Sequence, residues 1–175
     1  GTTFDAAMTV QVVRALPSDR EVLRNLMELY TYDFSEMLGL EIEENGRFAE
    51  RPLDAYWIDP WRFPFLIRVE SRFAGFALVH RKSKLSGADD VWDMAEFFVL
   101  RRHRRTNIGL DAAHRLFVTH AGPWEVRQRP ENAGATAFWR KVIGRYTGGR
   151  LTDEVLDDAR WRGPVQRFTS QQRGT

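Results

Sequence analysis

The segment EFFVLRRHRRTNIGLDAA, residues 96–113, constrains this chain more than any other. Phe97, Phe98, Val99 and Leu100 form a short continuous apolar run, as expected of a strand buried on both faces. Residues 101–105 then place four arginines and one histidine in five positions. Asn107, Ile108 and Gly109 follow, and a helical pattern starts at Leu110. A basic turn feeding a helix N-terminus makes an anion site. The first N–H groups of the helix lack intrahelical partners, its dipole favours negative charge, and arginine adds forked donors. A phosphorylated ligand is the expectation.

The chain has 175 residues, enough for one domain with a real core, and a formal net charge of only +2. One domain is expected over residues 1–175, with residues 1–8 a tail that is disordered or left over from cloning. There is no cysteine, which excludes disulfides, thiolate-bound metals and thiol nucleophiles. The four histidines show no metal-ligand spacing, so no metal is expected. No apolar run approaches the roughly 20 residues of a membrane helix. The N-terminus lacks a basic region followed by an apolar one. A cytoplasmic protein with no membrane partner is expected. The arginine-rich run contains no interleaved aromatics, which argues against a nucleic-acid partner.

Along the chain, residues 10–15 read as a strand. Ser18 and Glu21 form a capping-box pattern for a helix with Val22, Leu23, Leu26, Leu29 and Tyr30 on one face. That helix is expected to reach about Tyr32 and to break where Asp33 and Ser35 can cap a new turn. Residues 53–57 suggest a brief helical turn. Residues 65–69 and 72–80 form a hairpin around Glu70-Ser71, and Gly75 marks a bulge or a close backbone approach. A strand at 91–100 leads into the basic turn and a helix at 109–120. A strand at 124–128 follows, then a helix opened by Asn132 and closed at Gly144. A final hairpin turns near residues 157–158. This order predicts an α/β (α+β) fold: a mixed, mostly antiparallel central sheet flanked by helices, with a parallel pair across residues 91–128.

Two motifs in this order resemble the GNAT superfamily of acetyl-CoA-dependent N-acetyltransferases. Arg104-Arg105-Thr106-Asn107-Ile108-Gly109 resembles the family's Arg/Gln-x-x-Gly-x-Gly/Ala turn, with Asn107 at the first glycine. Asparagine tolerates left-handed backbone, so Asn107 is expected to preserve the turn. Asn132, Ala135, Phe138 and Trp139 resemble the helix after the fifth strand, with Trp139 where the family commonly has tyrosine. The resemblance implies a GNAT-like acyl-CoA N-acyltransferase fold. It also implies an N-acetyltransferase, moving acetyl from acetyl-CoA to a primary amine of a small molecule or peptide. The alternative is a non-catalytic acyl-CoA-binding or sensor protein on the same fold.

The roles the resemblance implies follow residue by residue. The coenzyme diphosphate would lie on the backbone of Arg105, Thr106, Asn107, Ile108 and Gly109, helped by the Arg104 side chain. The pantetheine would run along the main chain of Phe98, Val99, Leu100 and Arg101, with Asn132, Phe138 and Trp139 beside it. Glu96 is the candidate base, or a structural residue of the sheet. For the acid, either Tyr146 serves, or solvent protonates the thiolate, or the reaction class differs. Tyr30, Tyr32, Asp33 and Glu36 are candidate substrate residues, placed to receive a cationic amine. Acetyl-CoA and an amine acceptor are the expected partners, and a homodimer is left open.

Overall fold

A computed structural model describes residues 9–171, so the expected tail at 1–8 lies outside the described residues. In chain order the elements are β1 (Val10–Arg14), a 3-10 turn (Pro17–Asp19), α1 (Arg20–Leu38), α2 (Ala55–Ile58), β2 (Arg62–Val69), β3 (Arg72–His80), β4 (Trp92–Val99), a second 3-10 turn (Arg101–His103), α3 (Ile108–Thr119), β5 (Gly122–Arg127), α4 (Ala133–Thr147), β6 (Thr152–Asp157) and β7 (Arg162–Ser170). The strands form one seven-stranded sheet in the order β1-β2-β3-β4-β5-β7-β6. Among the described residues only β4 and β5 pair in parallel; the other neighbours are antiparallel. The mixed, mostly antiparallel sheet expected from the element order is present.

Both faces of the sheet are apolar and take helices. On one, Leu23, Leu26 and Met27 of α1 pack with Leu66, Phe76, Leu78 and Phe98. On the other, Leu116 and Phe117 of α3 and Val142 and Ile143 of α4 pack with Val79, Met94, Trp124 and Phe168. Leu29 was expected on the buried face of α1 but is 49% exposed, and Met27 takes the inward position. The expected break near Asp33 and Ser35 is absent: α1 runs unbroken to Leu38. Its would-be breakers are otherwise engaged. Ser35 Oγ donates back to the Tyr32 carbonyl at 2.7 Å, a bond compatible with a continuous helix. Asp33 is held by arginines of another segment. At the helix entrance, Asp19 Oδ2 rather than Ser18 accepts a bond, from Leu16 N. Similarly, α4 continues past Gly144 and ends at Gly148, which is left-handed with φ 62°.

Two irregularities shape the centre of the sheet. The β2–β3 register shifts between Ile67 and Arg68. There Gly75 sits so close to β4 that an added Cβ would fall 1.9 Å from the Phe98 carbonyl oxygen. The bulge or close approach expected at Gly75 is therefore real on both counts. The β3–β4 register shifts between Leu78 and Val79: Leu78 faces Glu96 and Val79 faces Met94, which leaves Ala95 as the extra residue. A bulge reverses side-chain alternation beyond it. Met94 and Phe97 therefore both contact the α3/α4 core, while Glu96 turns to the α1 side.

Gly75→Ala is expected to cost about 3 kcal/mol, the upper end for forcing atoms into a packed site. Gly144→Ala, in an open position of α4, is expected to stabilise by about 0.5–1 kcal/mol. Urea midpoints of the two variants, moving in opposite directions, check both.

Candidate active site

The β4–β5 ladder consists of only two pairs, Trp92 with Trp124 and Asp93 with Glu125. Beyond Asp93 the strands diverge, and β4 runs on toward Val99 without a ladder partner on that side. Leu100 N donates to Ala74 O across the β3 edge at 2.8 Å. Backbone alternation then turns the Val99 carbonyl toward the open edge. β4 thus offers an extended main chain to a strand-like ligand and leads directly into the basic turn.

At that turn α3 begins after Asn107, and the helix contributes free first-turn N–H groups. Thr106 Oγ1 donates to His103 O at 2.5 Å and accepts from Ile108 N at 3.4 Å. Asn107 was expected to take the left-handed conformation, but its φ is −82°. Arg105 does so instead, with φ 60°. The tight turn is therefore displaced two residues toward the N-terminus. Ile108 and Gly109 are buried against the sheet. An added Cβ at Gly109 would come 3.2 Å from the Phe138 ring, so this glycine lets α3 pack close to α4.

The arginines of the turn do not act alone. Arg101 Nη2 and Arg104 Nη2 reach Asp33 of α1 at 2.8 and 2.6 Å. Arg104 Nε also donates to the Val99 carbonyl at 3.0 Å. Burial pushes the Asp33 carboxyl up, but the hydrogen bonds and charges of Arg104 and Arg101 outweigh it and hold the group below its ordinary range. Arg102 and Arg105 stay exposed. The donor set, helix N–H groups with arginines around them, suits a diphosphate. The open β4 edge suits an amide-bearing arm. These residues fit acetyl-CoA.

On the α1 side, Glu96 accepts from Tyr30 Oη at 2.5 Å and from Arg51 Nη2 at 2.6 Å. Burial, then the Glu96 charge, raises the Tyr30 hydroxyl well above its ordinary range, so Tyr30 stays protonated and donates. Tyr30 packs between Phe34, Phe76 and Phe98. Nearby, the Tyr56 hydroxyl bonds His80 Nε2 at 2.7 Å. Burial, reinforced by the Arg62 charge, lowers His80 to about 4, and burial raises Tyr56 to about 12. The imidazole is neutral and shares this hydrogen bond with a protonated phenol. Next to it, the buried Asp93 pairs with Arg127 at 3.0 Å.

The structure thus brings Glu96 and Tyr30 together, as well as Asp33 with Arg101 and Arg104. It does not unite the four expected substrate residues. Tyr30 and Asp33, three apart, face the sheet, whereas Tyr32 is 67% exposed and Glu36 is also on the outer side. Nor does it bring Tyr146 to Glu96. The Tyr146 hydroxyl bonds Ser170 Oγ at 2.7 Å, and its ring packs on His114, Phe117 and Phe168 across the sheet. Asn132 caps α4, its side chain accepting from Ala135 N at 3.0 Å. Phe138 stacks on Phe97, and the buried Trp139 packs edge-on against it. Arg51 had no sequence signal: it lies in an irregular segment between α1 and α2, 45 residues from Glu96. Among the described residues no group of three metal-ligating side chains forms, and no helix is long and apolar enough to cross a membrane.

No protein-family model and no curated protein sequence matches this chain. Solved structures do. An acetyltransferase from Thermus thermophilus aligns with a TM-score of 0.66 and 12% identity, over 92% of this chain and 97% of its own. The PaiA N-acetyltransferase of Thermoplasma acidophilum, in complex with coenzyme A, aligns at 0.58 and 11%, over 93% and 99%. Spermidine N-acetyltransferase of Vibrio cholerae, in complex with CoA and spermine, aligns at 0.55 and 8%, over 92% and 95%. The chain has the fold of the GNAT acetyltransferases.

His80 sets a pH dependence of stability. Its folded value lies below the ordinary 6.5, so its contribution is full above pH 6.5 and is lost as pH falls toward 4, at up to about 1.4 kcal/mol per unit. Urea unfolding at pH 7, 5.5 and 4.5 should show this loss, and His80→Gln should reduce it, leaving the part that buried His120 contributes in the same direction.

Proposed function

We infer that this chain is an N-acetyltransferase that moves an acetyl group from acetyl-CoA to a primary amine. The observation that carries this reading is a single strand. The open edge of β4 runs into the α3 N-terminus, and the same strand presents Glu96 on the acceptor side with a hydroxyl at 2.5 Å. Neighbours of this fold bind CoA, and one holds spermine.

Bound acetyl-CoA supplies an acetyl thioester, whose carbon–sulfur bond breaks as the amine nitrogen forms a bond to the carbonyl carbon. The chain's residues serve that exchange as follows. The N–H groups of residues 105–109, with Arg102 and Arg105, meet the diphosphate. The β4 main chain from Phe98 to Arg101 aligns the arm. Glu96 takes the proton that the amine gives up. Tyr30 acts as a positioning residue: its phenol fixes Glu96 Oε2 and, being protonated, cannot compete as a base. The sulfur leaves as a thiol with a proton drawn from water, because Tyr146 lies on the other face of the sheet. Trp139 contributes a wall rather than an acid.

Titration calorimetry with acetyl-CoA should show binding in the micromolar range, and replacing the exposed Arg102 and Arg105 together by glutamate should weaken it about 10-fold or more. Thiol release over a panel of amines should fall about 100- to 10,000-fold in Glu96→Gln, with coenzyme affinity unchanged. No coenzyme binding at millimolar concentration contradicts the proposal. Binding without thiol release for any amine would favour a non-catalytic acyl-CoA binder.

A further inference from the structure

The acceptor side of Glu96 is built of arginine. Arg51 reaches Glu96 Oε1 from a segment whose backbone is fixed on both sides. Phe48 and Leu53 are buried, Phe48 N donates to Glu28 Oε1 at 2.9 Å, and Arg20 pairs with Asp54 at 2.8 Å. The Arg51 side chain itself is 45% exposed. Besides Glu96 its guanidinium touches only a weak acceptor, Met27 Sδ at 3.6 Å. Arg62 covers the Tyr56 ring at 5.3 Å, and Arg127 lies on Asp93.

The carboxylates in this region are already matched. Asp59 pairs with Arg62 at 3.0 Å, Asp93 with Arg127, and Glu96 with Arg51. Asp33, which would have suited a cationic acceptor, is held by Arg101 and Arg104. A diamine entering here would meet guanidinium groups at its second cation. A simple ammonium would also meet Arg51 before it reached the base. An amine that carries an anion removes both obstacles. The anion draws the Arg51 fork away from Glu96, and Glu96 Oε1 is left for the amine. Guanidinium is suited to this exchange, since its planar donors match carboxylate and phosphate.

We propose that the acceptor is a small amine bearing its own anionic group, a carboxylate or phosphate a few atoms from the nitrogen, and that Arg51 is its receptor. This rests on the acetyl-transfer reading of the same site and specifies the substrate class for it. Arg51 determines specificity, and Glu96 remains the base.

Ethanolamine, β-alanine, O-phosphoethanolamine and 1,3-diaminopropane share an aminoalkyl end and differ in what the other end carries. Each is titrated by calorimetry into the protein in the presence of CoA, and each is assayed for thiol release with acetyl-CoA. At least one of the two anionic amines should bind 10-fold or more tightly than ethanolamine, and 1,3-diaminopropane should bind most weakly. β-Alanine against O-phosphoethanolamine separates carboxylate from phosphate. Arg51→Ala should erase the preference, and Arg51→Lys, which keeps the charge, should retain part of it. Equal or tighter binding of ethanolamine or the diamine overturns the proposal. So does an anion preference that survives Arg51→Ala, or no binding of either anionic amine. Arg51-dependent binding without thiol release supports the anion receptor while contradicting acetyl transfer, so the two failures are distinguishable.

Discussion

The placing of Glu96 at the candidate site depends on one extra residue in β4. Without the bulge at Ala95, strict alternation would put Met94, Glu96 and Phe98 on one face. With it, Met94 and Phe97 both enter the α3/α4 core, and Glu96 joins Phe98 on the α1 side. The same strand can then bury an aromatic against α4 and aim a carboxylate at Tyr30. Gly75 is the counterpart on β3. By omitting a side chain it allows the Phe98 carbonyl to approach, and so fixes where β4 runs. The splay from β5 begins immediately before the bulge, after Asp93.

The basic turn is organised by a carboxylate as much as by its own charges. Exposed ion pairs contribute at most about 1 kcal/mol, whereas hydrogen bonds to charged groups in partly buried settings reach about 1.5–3 kcal/mol. Asp33 is 23% exposed, and Arg104 meets it at 2.6 Å while also bonding Val99 O. Arg101 is 73% exposed. Arg104 is therefore the stronger of the two contacts, tying the end of α1 to the end of β4. Asp33 and the β4 carbonyl are therefore linked through one guanidinium. Arg102 and Arg105 are exposed and take no part in this link.

Much of the fold could be read from local pattern. The apolar run at 97–100, the turn at Glu70-Ser71 and the spacing of Ala113, Leu116 and Phe117 each reported an element that local chemistry determines. The errors arose where distant segments decide. Asp33 and Ser35 look like helix breakers in sequence, but Asp33 is occupied by residues 68 and 71 positions away. Asn107 looked like the left-handed residue, yet the short 3-10 turn at Arg101–His103 moves that role to Arg105. Glu96 and Tyr30 were both legible as polar groups in apolar surroundings, but their 2.5 Å contact required the bulge, which leaves no periodic trace. Arg51 lies in a segment without periodicity, so its position beside Glu96 came only from the tertiary structure. Tyr146 offers the right chemistry and lies close to Trp139 in sequence. The helical phase of α4 turns it toward Phe117 and Ser170 instead.

Amide hydrogen exchange with and without acetyl-CoA tests the proposed coenzyme site most directly, because it reads the β4 edge and the α3 N-terminus in one experiment. Saturating coenzyme is expected to slow exchange at Phe97 and Val99, on the open edge of β4, and at residues 105–109, while β6 is unaffected. Unchanged exchange at Val99 and Gly109 in the presence of saturating acetyl-CoA would contradict it.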